Sequence, residues 1–144
     1  MLNNVTVREW MSNPVLTIHP EDPISLAHTV MKEHKVRRLA VLDADNHLVG
    51  IVTYGDVREA SPSDATTFSI WEMAYLLGQM TVGKIMSHNV LTVQPDETIF
   101  EVAKLMLDQK ISGLPVVNEN GQLVGMITES DIFRMVVQLG VAER

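Results

Sequence analysis

Thr53 and Asp56 stand three apart in the stretch LVGIVTYGDV (residues 48–57), and Thr128 and Asp131 repeat the spacing in LVGMITESDI (residues 123–132). An ionised Asp only accepts hydrogen bonds, and it can take them from both hydroxyls of a ribose cis-diol, while a Thr hydroxyl can serve a phosphate or a sugar. The same spacing also describes a helix start, with Thr at the N-cap and a carboxylate at the third helical position, favoured by the helix dipole. Both uses need one geometry, a strand that runs straight into a helix, where free backbone N–H groups also suit a phosphate. The two readings coexist if the Asp side chain caps in one state and turns to a ligand in another.

The elements that must supply this geometry recur. A shift of 75 positions aligns residues 6–60 with residues 81–135 without a gap, and about a third of the positions match. MSNPVLTIHP falls on MSHNVLTVQP, and HKVRRLAVLD on QKISGLPVVN. In each copy VLTI or VLTV reads as a short strand closed by Pro. A helix follows. In the first copy Asp22 is placed to cap it with Pro23 at the first helical position, and Ile24, Ala27, His28 and Met31 form its stripe. In the second, Asp96 or Thr98 is placed to cap, before Ile99, Val102, Ala103 and Met106.

LAVL and LPVV are then buried strands, joined through the polar turns DADNH and NENGQ to LVGIVT and LVGMIT; Asn120-Gly121 is the clearer turn signal. A second helix follows each Thr, and Gly140 is placed to end the last one. Each copy is therefore β-α-β-β-α, an α/β (α+β) fold in which units of about 55 residues are too small to stand alone and must pack on each other. The boundaries are residues 6–60 and 81–138. The linker, residues 61–80, begins with the breaker-rich SPSDATT and holds a further helix. In that helix Ser69 and Glu72 have capping-box spacing, Ile70, Met73, Ala74 and Leu77 form one face, and Trp71 and Tyr75 neighbour it.

A net charge of −7 disfavours broad nucleic-acid binding, because the chain repels polyphosphate backbones. The exception is KEHKVRR, residues 32–38, which is either a solvated helix end or an anion site. Zero cysteines remove disulfides, thiolate metal sites and cysteine nucleophiles, as fits a reducing compartment. With neither a basic lead nor an apolar run near the ~20 residues of a membrane span, the reading is a cytoplasmic protein with no membrane partner. His19, His28, His34, His47 and His88 show no metal-ligand pair on a helix face, so no metal site is expected, and no catalytic constellation stands out.

The repeated unit, with VLTV, SGLPVV at residues 112–117 and Thr-x-x-Asp after LVGMI, resembles the CBS domain, named for cystathionine β-synthase and found in tandem pairs called Bateman modules. The resemblance covers residues 6–135 apart from the linker. It implies a pseudo-twofold pair whose two clefts hold adenosine derivatives such as AMP, ADP, ATP or S-adenosylmethionine, and a homodimer. By motif match, Asp56 and Asp131 would bind ribose hydroxyls, and Thr53 and Thr128 would face ribose or phosphate. Ser112, Gly113, Leu114 and Pro115 match the segment that lets adenine approach the backbone, and Thr17 and Thr92 would line the clefts. The first copy departs from this pattern with Arg38 and Ala40 where the second has Gly113 and Pro115. Arg37 and Arg38 match positions that carry basic phosphate ligands in another member, which suggests a cleft joining Asp131 to one of these arginines.

The resemblance thus implies a non-enzymatic sensor of an adenine nucleotide or related adenosyl compound, requiring no cofactor and signalling through dimer geometry or an effector protein. The alternative is an interaction protein whose repeats serve dimer assembly and whose Thr-x-x-Asp only caps.

Overall fold

A computed structural model of the chain describes residues 2–60, 72, 75 and 78–142. After a 3-10 turn at Leu2–Asn4 the elements are α1 (Val7–Trp10), β1 (Thr17–Ile18), α2 (Ile24–His34), β2 (Arg38–Leu42), β3 (Leu48–Thr53), α3 (Tyr54–Ala60), α4 (Val82–Ile85), α5 (Ile99–Gln109), β4 (Gly113–Val117), β5 (Leu123–Thr128) and α6 (Glu129–Ala142). The expected linker helix lies outside the described residues except for Glu72, Tyr75 and Gly78 to Met80.

The chain divides into two compact units: Leu16–Val90 is one, and Met1–Val15 with Leu91–Arg144 is the other. Within Leu16–Val90 the strand order is β1-β2-β3, with β1 parallel and β3 antiparallel to β2. Ile24, Ala27 and Met31 on one stripe of α2 are buried in a core with Ile18, Leu39, Val41, Val52 and Val57. In the other unit β4 and β5 pair antiparallel, and Ile99, Val102 and Met106 of α5 join Leu114, Val116, Ile127 and Met135. Apolar side chains at i, i+3 and i+7 thus bury one face of each helix on a sheet.

Each core also takes a segment from the other sequence repeat. Val82 of α4 is fully buried in the Leu16–Val90 core, and Val7 of α1 is fully buried in the other. Backbone bridges fix the exchange reciprocally. Thr81 pairs with Pro23 and Ser87 with Ile51, just as Thr6 pairs with Thr98 and Ser12 with Met126. The seats are glycines: a Cβ on Gly50 would stand 2.5 Å from the Met86 sulfur, and one on Gly125 would collide with the Met11 sulfur. The sequence period and the compact units are therefore offset by one leading segment.

Three local expectations come out differently. The carboxylate of Asp22 accepts the His19 N–H at 2.9 Å, leaving Pro23 as an N-cap without a side-chain bond. Helix α6 runs through Gly140 to Ala142. A mid-helix Gly costs about 1 kcal/mol relative to Ala, which weakens a helix without ending it. VLTI yields β1, whereas VLTV leaves only a bridge from Val93 to Val116. The cause is Pro115: its counterpart Ala40 donates its N–H to the Leu16 carbonyl, and proline has none to donate. Thr98 caps α5 as expected, its hydroxyl accepting from Glu101 N–H at 3.1 Å.

Candidate functional site

Both Thr-x-x-Asp stretches form a strand-to-helix corner. At the end of β3, Thr53 N–H donates to Asp56 Oδ2 at 2.9 Å and Asp56 N–H donates to Thr53 Oγ1 at 3.1 Å, a reciprocal capping box. Tyr54 N–H is taken by the Arg37 carbonyl at 2.8 Å. At the end of β5, Thr128 N–H donates to Asp131 Oδ2 at 2.9 Å and its hydroxyl reaches the same oxygen at 3.2 Å, while Glu129 N–H is taken by the Ser112 carbonyl at 3.0 Å. Much of the N–H capacity that the sequence offered to a phosphate is thus spent inside the corners.

The carboxylates differ in what else holds them. Asp131 is 1% exposed, and its second oxygen accepts from Arg134 at 2.8 Å and from the Ser12 hydroxyl at 3.3 Å. Asp56 is half-buried and, among the described residues, is held by Thr53 alone. At the position of Arg134 the first repeat has Glu59, which cannot serve a carboxylate. Motif reading passed over Arg134 and Ser12, although the recurrence of Ser in MSNP and MSHN was a signal for the latter.

Strand pairing brings some of the remaining expected residues to these corners. Arg38 opens β2 opposite Thr53, with Arg37 just before it, and Thr17 of β1 is exposed beside Ala40. In the other unit Gly113 stands opposite Thr128, preceded by Ser112, while Leu114 and Pro115 are buried and Thr92 is exposed. Asp56, Arg37 and Arg38 belong to the Leu16–Val90 unit, and Asp131 to the other.

Arg37 also lines a cavity of about 530 Å³ inside the Leu16–Val90 unit, together with Lys32, Lys35, His28 and Tyr54. The His28 and Tyr54 rings stack with centroids 6.1 Å apart and planes 30° apart. Charge-run reading found the cations; it had no means of finding the ring pair, which forms only when α2 packs against the start of α3.

One further grouping lies away from the helix faces. Asp43, Asp45 and His47 in the β2–β3 turn bring potential ligand atoms within 4.8 Å of one another. Their arrangement has a structural cause. Asp43 Oδ1 accepts the N–H groups of Asp45 and His47, both at 2.9 Å, and these bonds, that from His47 foremost, hold its carboxyl below its usual value of 3.8. Asn118 builds the same turn in the second repeat with a neutral amide, accepting from Asn120 at 3.0 Å and Gln122 at 2.9 Å. Asn46 (φ 65°) and Gly121 (φ 76°) take the equivalent left-handed position. Asp43 and Asn118 are thus turn-forming residues.

Among the described residues no helix is long and apolar enough to cross a membrane. The family model for the CBS domain matches residues 7–63 and 82–138. A CBS domain-containing protein of Dictyostelium discoideum is 31% identical over 135 residues, covering 94% of this chain and 93% of that protein. A homoserine O-acetyltransferase of Methanosalsum zhilinae is also 31% identical over 135 residues, but the chain spans only 25% of that enzyme's length. Among solved structures, the CBS domain pair of protein MJ0100 in complex with 5-methylthioadenosine and S-adenosyl-L-methionine is 31% identical, with a TM-score of 0.75 over 93% of this chain and 97% of that one. CBSX2 in complex with AMP is 26% identical, with a TM-score of 0.78 over 94% of this chain and 98% of the other. Two matches of one family model in register with the internal repeat, on an α/β fold shared with solved CBS pairs, place the chain in the CBS domain family.

Proposed function

We propose that the chain is a regulatory module that binds an adenosine-containing small molecule and signals by a shift of conformational population. The observation that carries this reading is the pair of strand-to-helix corners, each holding a carboxylate at the position that suits a ribose diol. The ligands of MJ0100 and CBSX2, two similar CBS proteins, support an adenosyl compound: AMP, ADP, ATP or S-adenosylmethionine. Asp56 and Asp131 are the proposed ribose ligands. Thr53 and Thr128 face ribose or phosphate, and Arg37 and Arg38 serve phosphate oxygens as guanidinium forks do. Thr17, Thr92 and the segment Ser112, Gly113, Leu114 and Pro115 complete the adenosyl surroundings.

Binding signals only if it favours one conformation over another, and the proposed output is a homodimer rearrangement or an effector protein, with no catalysis by this chain. A panel of AMP, ADP, ATP and S-adenosylmethionine in a thermal-shift assay tests the proposal, since a ligand at ~100 times its Kd adds ~2.7 kcal/mol. At least one should raise the melting temperature, and Asp56→Ala should diminish that rise. A second reading is favoured by the capping bonds themselves: with Thr53 and Thr128 engaged in them, Thr-x-x-Asp needs no ligand to explain it. That reading expects no shift with any of the four.

A further inference from the structure

We infer that the cavity lined within the Leu16–Val90 unit is an anion site that takes a polyphosphate group, in which Lys32 and Lys35 add to the Arg37 already proposed for phosphate oxygens. Its chemistry is one-sided. Lys32, Lys35 and Arg37 are exposed cations, none of the three is ion-paired with a described residue, and among the described residues no carboxylate lines the space. Met31, 2% exposed, and the stacked His28 and Tyr54 rings also line the space. At about 530 Å³ the cavity falls within the ~300–1,000 Å³ of small-molecule sites.

A helix C-terminus attracts cations for its own stability, and α2 ends here. The second repeat shows how little that needs. Helix α5 ends in the same backbone, Lys110 taking the left-handed φ of 56° that Lys35 takes, with no basic residue in its last turn. Lys32 and Arg37 therefore exceed what this helix end requires. Applying the 75-residue shift, Lys32, Arg37, His28 and Tyr54 become Leu107, Ser112, Ala103 and Glu129. Three cations in the first repeat face one cation and one carboxylate in the second, so the two positions share a backbone and differ in charge by three units. A compact, multiply charged anion is what three cations lining one space hold better than any neutral ligand.

The site shares Arg37 with the proposed function but uses neither corner carboxylate, and its test turns on Lys32 and Lys35, which that reading does not use. Sodium tripolyphosphate is titrated calorimetrically at low ionic strength into the full chain, into Lys32→Gln/Lys35→Gln, and into Lys110→Gln as the second-repeat control; adenosine, which carries no phosphate, is titrated alongside. Expected are saturable tripolyphosphate binding, a loss of roughly tenfold or more in the double variant, little change in the control, and adenosine binding equal in all three. Failure of adenosine to bind would count against the nucleoside reading and leave the cavity standing. ATP run against tripolyphosphate identifies the source of the group: a nucleotide site prefers ATP and loses the preference in Tyr54→Ala, whereas a free-polyphosphate site holds both alike. No saturable tripolyphosphate binding, or equal affinity in the wild type and the double variant, would overturn the assignment. The substituted lysines are exposed, and an unchanged circular dichroism melt separates lost binding from lost fold.

Discussion

The two Thr-x-x-Asp corners have the same backbone course and the same capping bond from Thr N–H to Asp Oδ2, 2.9 Å in each, yet one carboxylate is locked and the other is not. Asp131 is buried beneath Arg134 and Ser12, whereas Asp56 has Thr53 alone among the described residues. Capping is the shared duty of the motif; the additional partners set how much it costs to turn the carboxylate toward something else. A ligand that recruits Asp56 competes with one backbone hydrogen bond, and one that recruits Asp131 must compete with a charge-assisted network.

That contrast is open to direct attack. Asp131→Ala should destabilise the protein most, by about 3 kcal/mol in chemical denaturation, because it leaves buried donors without an acceptor and Arg134 without its partner. Asp56→Ala should cost only the ~1 kcal/mol of a lost cap. Equal losses would erase the distinction. Arg134→Ala should make the second corner resemble the first at a cost of ~1–2 kcal/mol, less than for a fully buried pair because Arg134 is 54% exposed. A double-mutant cycle with Asp131→Asn should give a coupling energy of that order.

In the opposite sense, Glu59→Arg should give Asp56 a cation one turn along and raise stability by ~0.3–0.5 kcal/mol. The smallest effect concerns the hairpin turns. The carboxyl of Asp43 is held below 3.8 in the fold, so its contribution is present above that value and is lost as pH falls through the lower, folded one. Asp43→Asn, which copies Asn118, should flatten the acid limb of a stability profile below about pH 4 and leave neutral stability unchanged.

Much of the architecture was legible because duplication made the sequence its own control. The apolar stripes of α2 and α5, the hairpins and the capping geometry of both corners follow from local spacing, which a 75-residue shift reveals twice. What stayed hidden depends on non-local choice. Self-alignment is indifferent to which copy each leading segment packs against, so the pairing of Met11 with Gly125 and of Met86 with Gly50 could not be read from it. Nor could the bond from Ser12 to Asp131, which spans 119 positions. The carboxylate of Asp22 went to a nearer N–H at His19, and Gly140 was overridden by the continuing helix, two cases where neighbours outvoted a local signal.

The exchanged segments impose a timetable on a chain emerging from the ribosome. Leu16–Val90 is continuous, so its core has all its parts soon after Val82 is made. Val7, by contrast, donates its N–H to Glu97, 90 residues later (97 − 7 = 90). At ~5–20 residues per second that is a wait of roughly 5–18 s. For that interval Val7 and Met11 have no core to enter, and they are housed only after residues far along the chain have been made.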